Sequence, residues 1–319
     1  MHYANCRSSQ ARMAGYAMLF LGSESAFAET SQQTTEGAAI SPIVVEGAEP
    51  RYVAPTLRDR IGRIWAPVLI NGKGPFRLVL DTGANSSAII GPVAQTLGVP
   101  MHETKVQLLG VTGTAIVPTV LAQSMEVGDL YMSDARLPVV ADVFGGAEGV
   151  LGPIGLADKR LYIDFRNDAI QIQRSRNQPA GPDFTVVPVE ITENNLLMFS
   201  LRIGGIRTKA ILDTGAQKTL GNNSLRAALL RRKREGVDQD VIGVTLDVQR
   251  GQAFQIPLIA MGDIEVRNMR ITFGDMFIFE QWQMVDHPAI LVGMDVIGTL
   301  DTLVIDYKRK ELHLRPRRS

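Results

Sequence analysis

The sequence predicts a mainly β protein built of two related lobes about a pseudo-twofold axis, with a cleft between them, and three observations carry that expectation. The tetrapeptide Asp81-Thr82-Gly83-Ala84 returns as Asp213-Thr214-Gly215-Ala216, each copy directly after an apolar run. The strand-type runs around the two copies recur in the same order, and an internal repeat outweighs any single local motif. Short apolar runs broken by Gly and Pro dominate, with few helical periods, which favours β architecture. At 319 residues and 45% apolar content the chain can bury two cores.

The elements follow in order. Arg7 and Arg12 precede a short apolar stretch, Met13 to Leu21, and Ala26-Phe27-Ala28 offers small residues for a signal peptidase. Residues 1–28 therefore read as a secretory leader cleaved after Ala28, which places the protein in the periplasm. The apolar stretch falls well short of the roughly twenty residues that span a bilayer, so no stable membrane insertion is expected. Cys6 would leave with the leader, and no disulfide or thiol chemistry is expected of the remainder. Residues 29–55 read as a flexible lead-in, rich in Ser, Thr, Gln, Gly and Ala as far as Glu49.

A first lobe is expected over 56–175. Val68-Leu69-Ile70 passes through Asn71-Gly72-Lys73-Gly74 into Phe76 to Leu80 and then Asp81, a strand, turn and strand by residue type. Gly149 to Gly152, Leu161 to Phe165 and Ala169 to Ile172 follow. Asn177 to Pro182 marks a linker, and a second lobe is expected over 182–319. Phe199 to Ile203, Gly204-Gly205 and Lys209 to Leu212 lead to Asp213, with Ile290 to Gly293, Leu303 to Tyr307 and Glu311 to Leu314 answering the later runs. The span from Asp213 to Gly293 exceeds that from Asp81 to Gly152. The sequence attributes the excess to a helix from Ser224, as N-cap, to Gly236, against a shorter Val93 to Leu97 segment in the first half.

This set of features resembles the aspartic proteases of the pepsin and retropepsin type from about Arg63 onward: an Asp-Thr-Gly turn after a buried strand, a glycine-bearing hairpin, and a later apolar-apolar-Gly segment. Ala84 and Ala216 are similar to retropepsins, which carry one such half per chain and dimerise. The resemblance implies two retropepsin-like β-barrel lobes in a single chain, so that a monomer suffices. It implies Asp81 and Asp213 as the catalytic pair, with Thr82, Gly83, Thr214 and Gly215 supporting the catalytic loops. It also implies flaps at Leu108 to Thr114 and Val241 to Asp247, with Gly110, Gly113 and Gly243 as hinges; neither segment holds the tyrosine of a pepsin-like flap.

The residue types make physical sense without the family. Glycine lets two turns approach closely, and threonine hydroxyls can bond backbone across the axis. Two carboxylates a few ångströms apart cannot both ionise cheaply, so they share a proton and titrate as a pair. One can take a proton from water while the other protonates a carbonyl oxygen, a mechanism that requires no metal and no cofactor. The expected activity is endopeptidase cleavage of an extended protein or peptide substrate. The alternative is a catalytically silent module that binds an extended peptide or scaffolds a complex. The resemblance adds that Ala84 and Ala216 lack the hydroxyls that in pepsin-like relatives donate to the carboxylates and favour their ionised form, which implies activity reaching mildly acidic or neutral pH.

Other chemistries find no pattern. His2, His102, His287 and His313 form no His-Glu-x-x-His, there is no Gly-x-Ser-x-Gly, and Gly72-Lys73-Gly74 lacks phosphate-loop spacing. A formal net charge of zero gives no reason to expect a nucleic-acid partner. The runs Arg231 to Arg234 and Arg315 to Arg318 read as solvated faces or a tail, and the repeated Asp164 and Asp306 as structural strand residues.

Overall fold

In the first lobe, β2 (Trp65–Ile70) and β3 (Lys73–Leu80) form a hairpin. Its turn, Asn71-Gly72, takes φ of 51° and 68°, the left-handed pair that a two-residue hairpin demands and that Asn and Gly adopt most readily. Ala66, Val68, Ile70 and Leu78 are fully buried, so these strands supply one wall of the first core. The computed structural model describes residues 52–55, 63–230 and 236–317, the first of these stretches as backbone. The expected leader and its cleavage point, most of the expected lead-in and the run Arg231 to Arg234 lie outside the described residues.

The chain continues through β4 (Ala88–Ile90), α1 (Gly91–Leu97), β5 (His102–Leu109), β6 (Thr114–Val127), β7 (Leu130–Val140) and β8 (Gly149–Leu151). Helix α1 stops where Gly98 enters the left-handed region at φ 69°. The seven strands run β2-β3-β8-β4-β7-β6-β5, and a further pairing of β2 with β6 closes the sheet into a barrel. Closure leaves few edges to protect and gives the core a continuous wall.

The second lobe repeats this plan. It comprises β11 (Thr185–Pro188), β12 (Glu190–Ile191), β13 (Leu197–Ile203), β14 (Ile206–Leu212), β15 (Leu220–Gly221), α2 (Asn223–Leu229), β16 (Val237–Ile242), β17 (Val248–Met261), β18 (Ile264–Phe273), α3 (Phe277–Gln281), β19 (Ala289–Val292), α4 (Met294–Ile297), β20 (Leu300–Asp306) and β21 (Glu311–Pro316). Its sheet runs β12-β13-β14-β19-β15-β18-β17-β16, closed by β13 against β17. Apart from the extra β12, each strand has its counterpart in the first lobe in the same order.

A third sheet joins the lobes. From the first lobe come β1 (Tyr52–Pro55), β9 (Lys159–Asp164) and β10 (Ala169–Arg174), and the order β1-β10-β9-β20-β21-β11 sets the two halves symmetrically about the β9–β20 pair. Leu161, Ile163, Leu303 and Ile305 lie buried along that pair. Between the lobes sits a polar lock. Asp306 and His313, both fully buried, meet Arg160 of β9: Arg160 Nη1 is 3.5 Å from Asp306 Oδ2 and Arg160 Nη2 is 3.4 Å from His313 Nδ1. A guanidinium only donates, so Nδ1 accepts and the His313 Nε2–H donates to Glu311 Oε2 at 2.9 Å. Arg160 also donates to Gln178 O at 3.0 Å and Ser175 Oγ donates to Asp306 Oδ2 at 3.0 Å, which ties the inter-lobe segment to both halves.

Four sequence expectations are corrected. The lead-in ends in a strand, because β1 finds an edge to pair with along Ala169 to Ile172 of β10. The N-cap of α2 is Asn222, not Ser224, and the described helix ends at Leu229. Much of the excess length of the second half lies instead between β18 and β19, over 274–288 where the first lobe has only 141–148, and it holds α3. Arg315 is a strand residue paired with Asp301 at 3.1 Å rather than part of a tail. Asp164 and Asp306 repeat for a local reason: each accepts backbone N–H groups of the turn that follows it, Arg166 and Asn167 in one case and Arg309 in the other.

Candidate active site

Each aspartate stands where a buried central strand ends. Strand β3 runs parallel to β8, and β14 parallel to β19, with Leu80 opposite Leu151 and Leu212 opposite Val292. The ladder extends one step into each loop, since Asp81 N donates to Leu151 O and Asp213 N to Val292 O, both at 3.0 Å. The chain then turns back on the carboxylate it has just placed. Asp81 Oδ1 accepts from Gly83 N at 2.8 Å and Ala84 N at 3.0 Å, while Asp213 Oδ1 accepts from Gly215 N and Ala216 N, both at 2.9 Å.

The threonines lock the loops across the axis. Thr82 Oγ1 donates to Leu212 O at 2.7 Å and Thr214 Oγ1 to Leu80 O at 2.6 Å. Each hydroxyl also accepts the other threonine's backbone N–H, at 3.1 Å for Thr82 N and 3.2 Å for Thr214 N. Both side chains are buried, so the four bonds act where water cannot compete. Gly83 and Gly215 are required by space: a Cβ on Gly83 would strike the Asp213 carboxylate, and one on Gly215 would strike that of Asp81. The two carboxylates therefore meet across the axis, each against the glycine of the opposite loop.

A second layer holds the loops from behind. Ser87 Oγ accepts from Gly152 N and Thr219 Oγ1 from Gly293 N, both at 3.1 Å. A Cβ on Gly152 would overlap the backbone of Ser86, and one on Gly293 that of Lys218, so both supporting segments need glycine. Asp295 reinforces the second loop alone, accepting from Thr219 Oγ1 at 2.6 Å.

Burial raises the proton affinity of both carboxyls. Asp81 stands above the usual carboxylate range chiefly because it is desolvated, with its hydrogen bond to Asp213, the Gly83 and Ala84 N–H groups and the charge of Arg63 pulling it back. Asp213 stands well above that range, first through burial and then through the negative charge of Asp81, against the N–H groups of Ala216 and Gly215. Such a coupled pair titrates in two steps and between them holds one proton between two acids, the state that acid–base chemistry on a carbonyl needs.

The two candidate flap segments are hairpin tips, of β5–β6 and β16–β17, and the tips meet. Gly243 N donates to Thr112 Oγ1 at 3.1 Å, and Thr112 Oγ1 lies 3.5 Å from Thr245 Oγ1. Gly110, Gly113 and Gly243 all sit in this contact, where a Cβ would press on Thr245, Asp247 and Thr112 respectively. Their place therefore suits close packing of tip on tip. The first tip also reaches the other lobe, with Ile278 N donating to Val111 O at 3.2 Å.

Sequence reasoning missed Ser87, Thr219, Thr112 and the buried Arg63. Ser87 and Thr219 lie at the same offset from their aspartates, a repeat visible in the sequence once the halves are aligned. Thr112 recurs as Thr245 in the Gly-Val-Thr of each hairpin tip, inside the segments read as flaps, whereas Arg63 has no repeat partner of its own type and gave no signal.

Comparison with known families agrees with the geometry. The aspartyl protease family model matches residues 66–153 and again 199–296, which take in one catalytic-type loop and its supporting glycine each time. No curated protein matches the chain. Two matched regions, covering more than half of the sequence and coinciding with the two barrels, show that the chain belongs to the aspartyl protease family.

Proposed function

We propose that this protein is an aspartic endopeptidase that hydrolyses peptide bonds with Asp81 and Asp213. The observation that carries the reading is the pair itself: two carboxylates facing each other, Asp213 buried and Asp81 partly buried, each fixed by two backbone N–H groups and both held in register by the reciprocal threonine bonds. A binding module has no chemical need for that arrangement, whose desolvation costs stability. In the reaction, the ionised carboxylate takes a proton from water as its oxygen attacks the scissile carbonyl carbon. The protonated carboxyl gives its proton to the carbonyl oxygen, and a neutral gem-diol forms. Collapse returns a hydroxyl proton to the second carboxylate, the first delivers its proton to the amide nitrogen, and the C–N bond breaks. The pair ends in its starting protonation state.

The substrate is a protein or peptide segment lying extended between the lobes, where backbone groups of the flap hairpins can pair with it and alternate side chains can be read. With two lobes in one chain, 56–175 and 182–319, a monomer is sufficient. The leader at 1–28 gives the protein a periplasmic setting after cleavage at Ala28, and among the described residues no helix is long and apolar enough to cross a membrane. Raised carboxyl proton affinities support activity at mildly acidic to neutral pH.

The test is cleavage of a diverse unstructured peptide mixture across pH, beside Asp81→Asn and Asp213→Asn. Each substitution removes one half of the acid–base pair and should lower kcat/KM by about 10³-fold or more. Full activity in either folded variant would defeat the assignment. No cleavage by folded wild type on peptides or on partners captured with Asp81→Asn would favour the silent binding module.

A further inference from the structure

The two catalytic-type loops are nearly superimposable in their bonds, but what lies beneath them differs. In the first lobe the β2–β3 register pairs Trp65 with Val79, and Leu80 N donates to Ile64 O at 2.9 Å. One step further, Arg63 stands opposite Asp81. In the second lobe the register pairs Met198 with Ile211, and two steps further Leu196 stands opposite Asp213. Both residues are buried, at 7% and 4% exposure, so the same register position holds a cation in the first lobe and an aliphatic chain in the second.

A second asymmetry has the same sense. Tyr307 N donates to Lys159 O across the lobe boundary, and Phe165 N donates to Asp301 O in the mirrored position. Tyr307 is buried and close enough to feel the charge of Asp81, which with burial keeps its phenol neutral. Phe165 offers the opposite side no polar group. Asp213 is itself buried at 6% exposure, whereas Asp81 is only partly buried. Cation, phenol and solvent all lie on the Asp81 side.

We infer that Arg63 polarises the pair, holding Asp81 as the ionised base and leaving the shared proton on Asp213. Asp81 then accepts the proton of the attacking water and later passes it to the leaving nitrogen, while Asp213 protonates the carbonyl oxygen and recovers that proton from the gem-diol. Arg63 touches no reacting atom. It is a positioning residue that acts through Asp81, and the role rests on the protease reading given above.

The test reads the carboxyls directly, without substrate. Aspartate ¹³Cγ resonances of the full chain are followed across pH, with Asp81 and Asp213 assigned from the Asn variants. In the wild type, Asp81 should carry the lower titration step and Asp213 the upper. Arg63→Met should raise the lower step by about one pH unit, and Arg63→Lys should restore it. In kinetics the acid limb of kcat/KM should move by the same amount in Arg63→Met, with KM on the plateau unchanged. A lower step carried by Asp213, or one that Arg63→Met leaves in place, overturns the proposal. The wild-type titration decides even if the Arg63→Met chain does not fold. Absence of cleavage alongside the expected titration would remove the protease reading and leave the polarised pair standing.

Discussion

At the scale of single residues, the site spends stability on two acids that water would solvate better. Both Asp81 and Asp213 bind protons more tightly in the folded chain than the 3.8 of an ordinary aspartate. The folded state is therefore favoured most below that value, and the advantage is lost as pH rises through the raised folded values. Asp213→Asn keeps the shape and removes a buried carboxyl that must take up a proton on folding. Its melting temperature should exceed that of the wild type near neutral pH, and the gap should close toward pH 4; an equal gap at both pH values would show that the carboxyl pair is not the source. The aspartates, threonines and glycines of the two loops were all legible in the sequence because each is a chemical type with few substitutes. Arg63 was not. It lies outside any motif, and only the strand register sets it opposite Asp81 rather than in solvent.

Among elements, the loops depend on bonds that pass between lobes, so their cost is shared. Thr82→Val retains the shape but leaves Leu212 O and Thr214 N without the bonds the hydroxyl supplied. With two buried backbone groups unpaired, a loss of about 3 kcal/mol is expected from denaturant unfolding. The flap hairpins are coupled more lightly. Removing the hydroxyl in Thr112→Ala deletes the bond from Gly243 N, worth about 1 kcal/mol, and should change kcat/KM by about five-fold with little effect on melting temperature. Element boundaries show why local signals mislead. Asn222 and Ser224 are both good caps by type, but Asn222 Oδ1 accepts from Leu225 N at 2.8 Å and Ala289 N at 3.2 Å, while its Nδ2 donates to Met284 O at 2.6 Å and His287 O at 2.7 Å. The residue that caps α2 is thus the one that also fastens it to the approach of β19.

For the whole molecule, the shared sheet and its polar lock make the two lobes one cooperative object. Arg160 comes from the first lobe, Asp306 and His313 from the second, and all three are wholly or largely buried. Arg160→Ala would strand a buried carboxylate, a change that typically costs about 3–5 kcal/mol. The urea midpoint should fall accordingly, and the cleft should lose activity in step, because the same sheet fixes the distance between the aspartates. Unchanged stability would mean that Asp306 is supported well enough by Ser175 and the turn at Arg309.

The sequence by itself determined the class, the repeat and the chemistry of the loops. Strand periodicity needs only neighbours in the chain, and a duplicated Asp-Thr-Gly-Ala declares two matching acids wherever they fold. What it could not determine was everything set by distance between parts remote in the chain. The pairing of β1 on β10, the meeting of the flap tips at Thr112 and Gly243, and the placing of Arg63 opposite Asp81 while Leu196 stands opposite Asp213 are decided by strand register and barrel closure. A repeat makes two halves equal in sequence pattern; only packing shows where they are made unequal, because the field at a carboxylate depends on which side chains lie within a few ångströms of it.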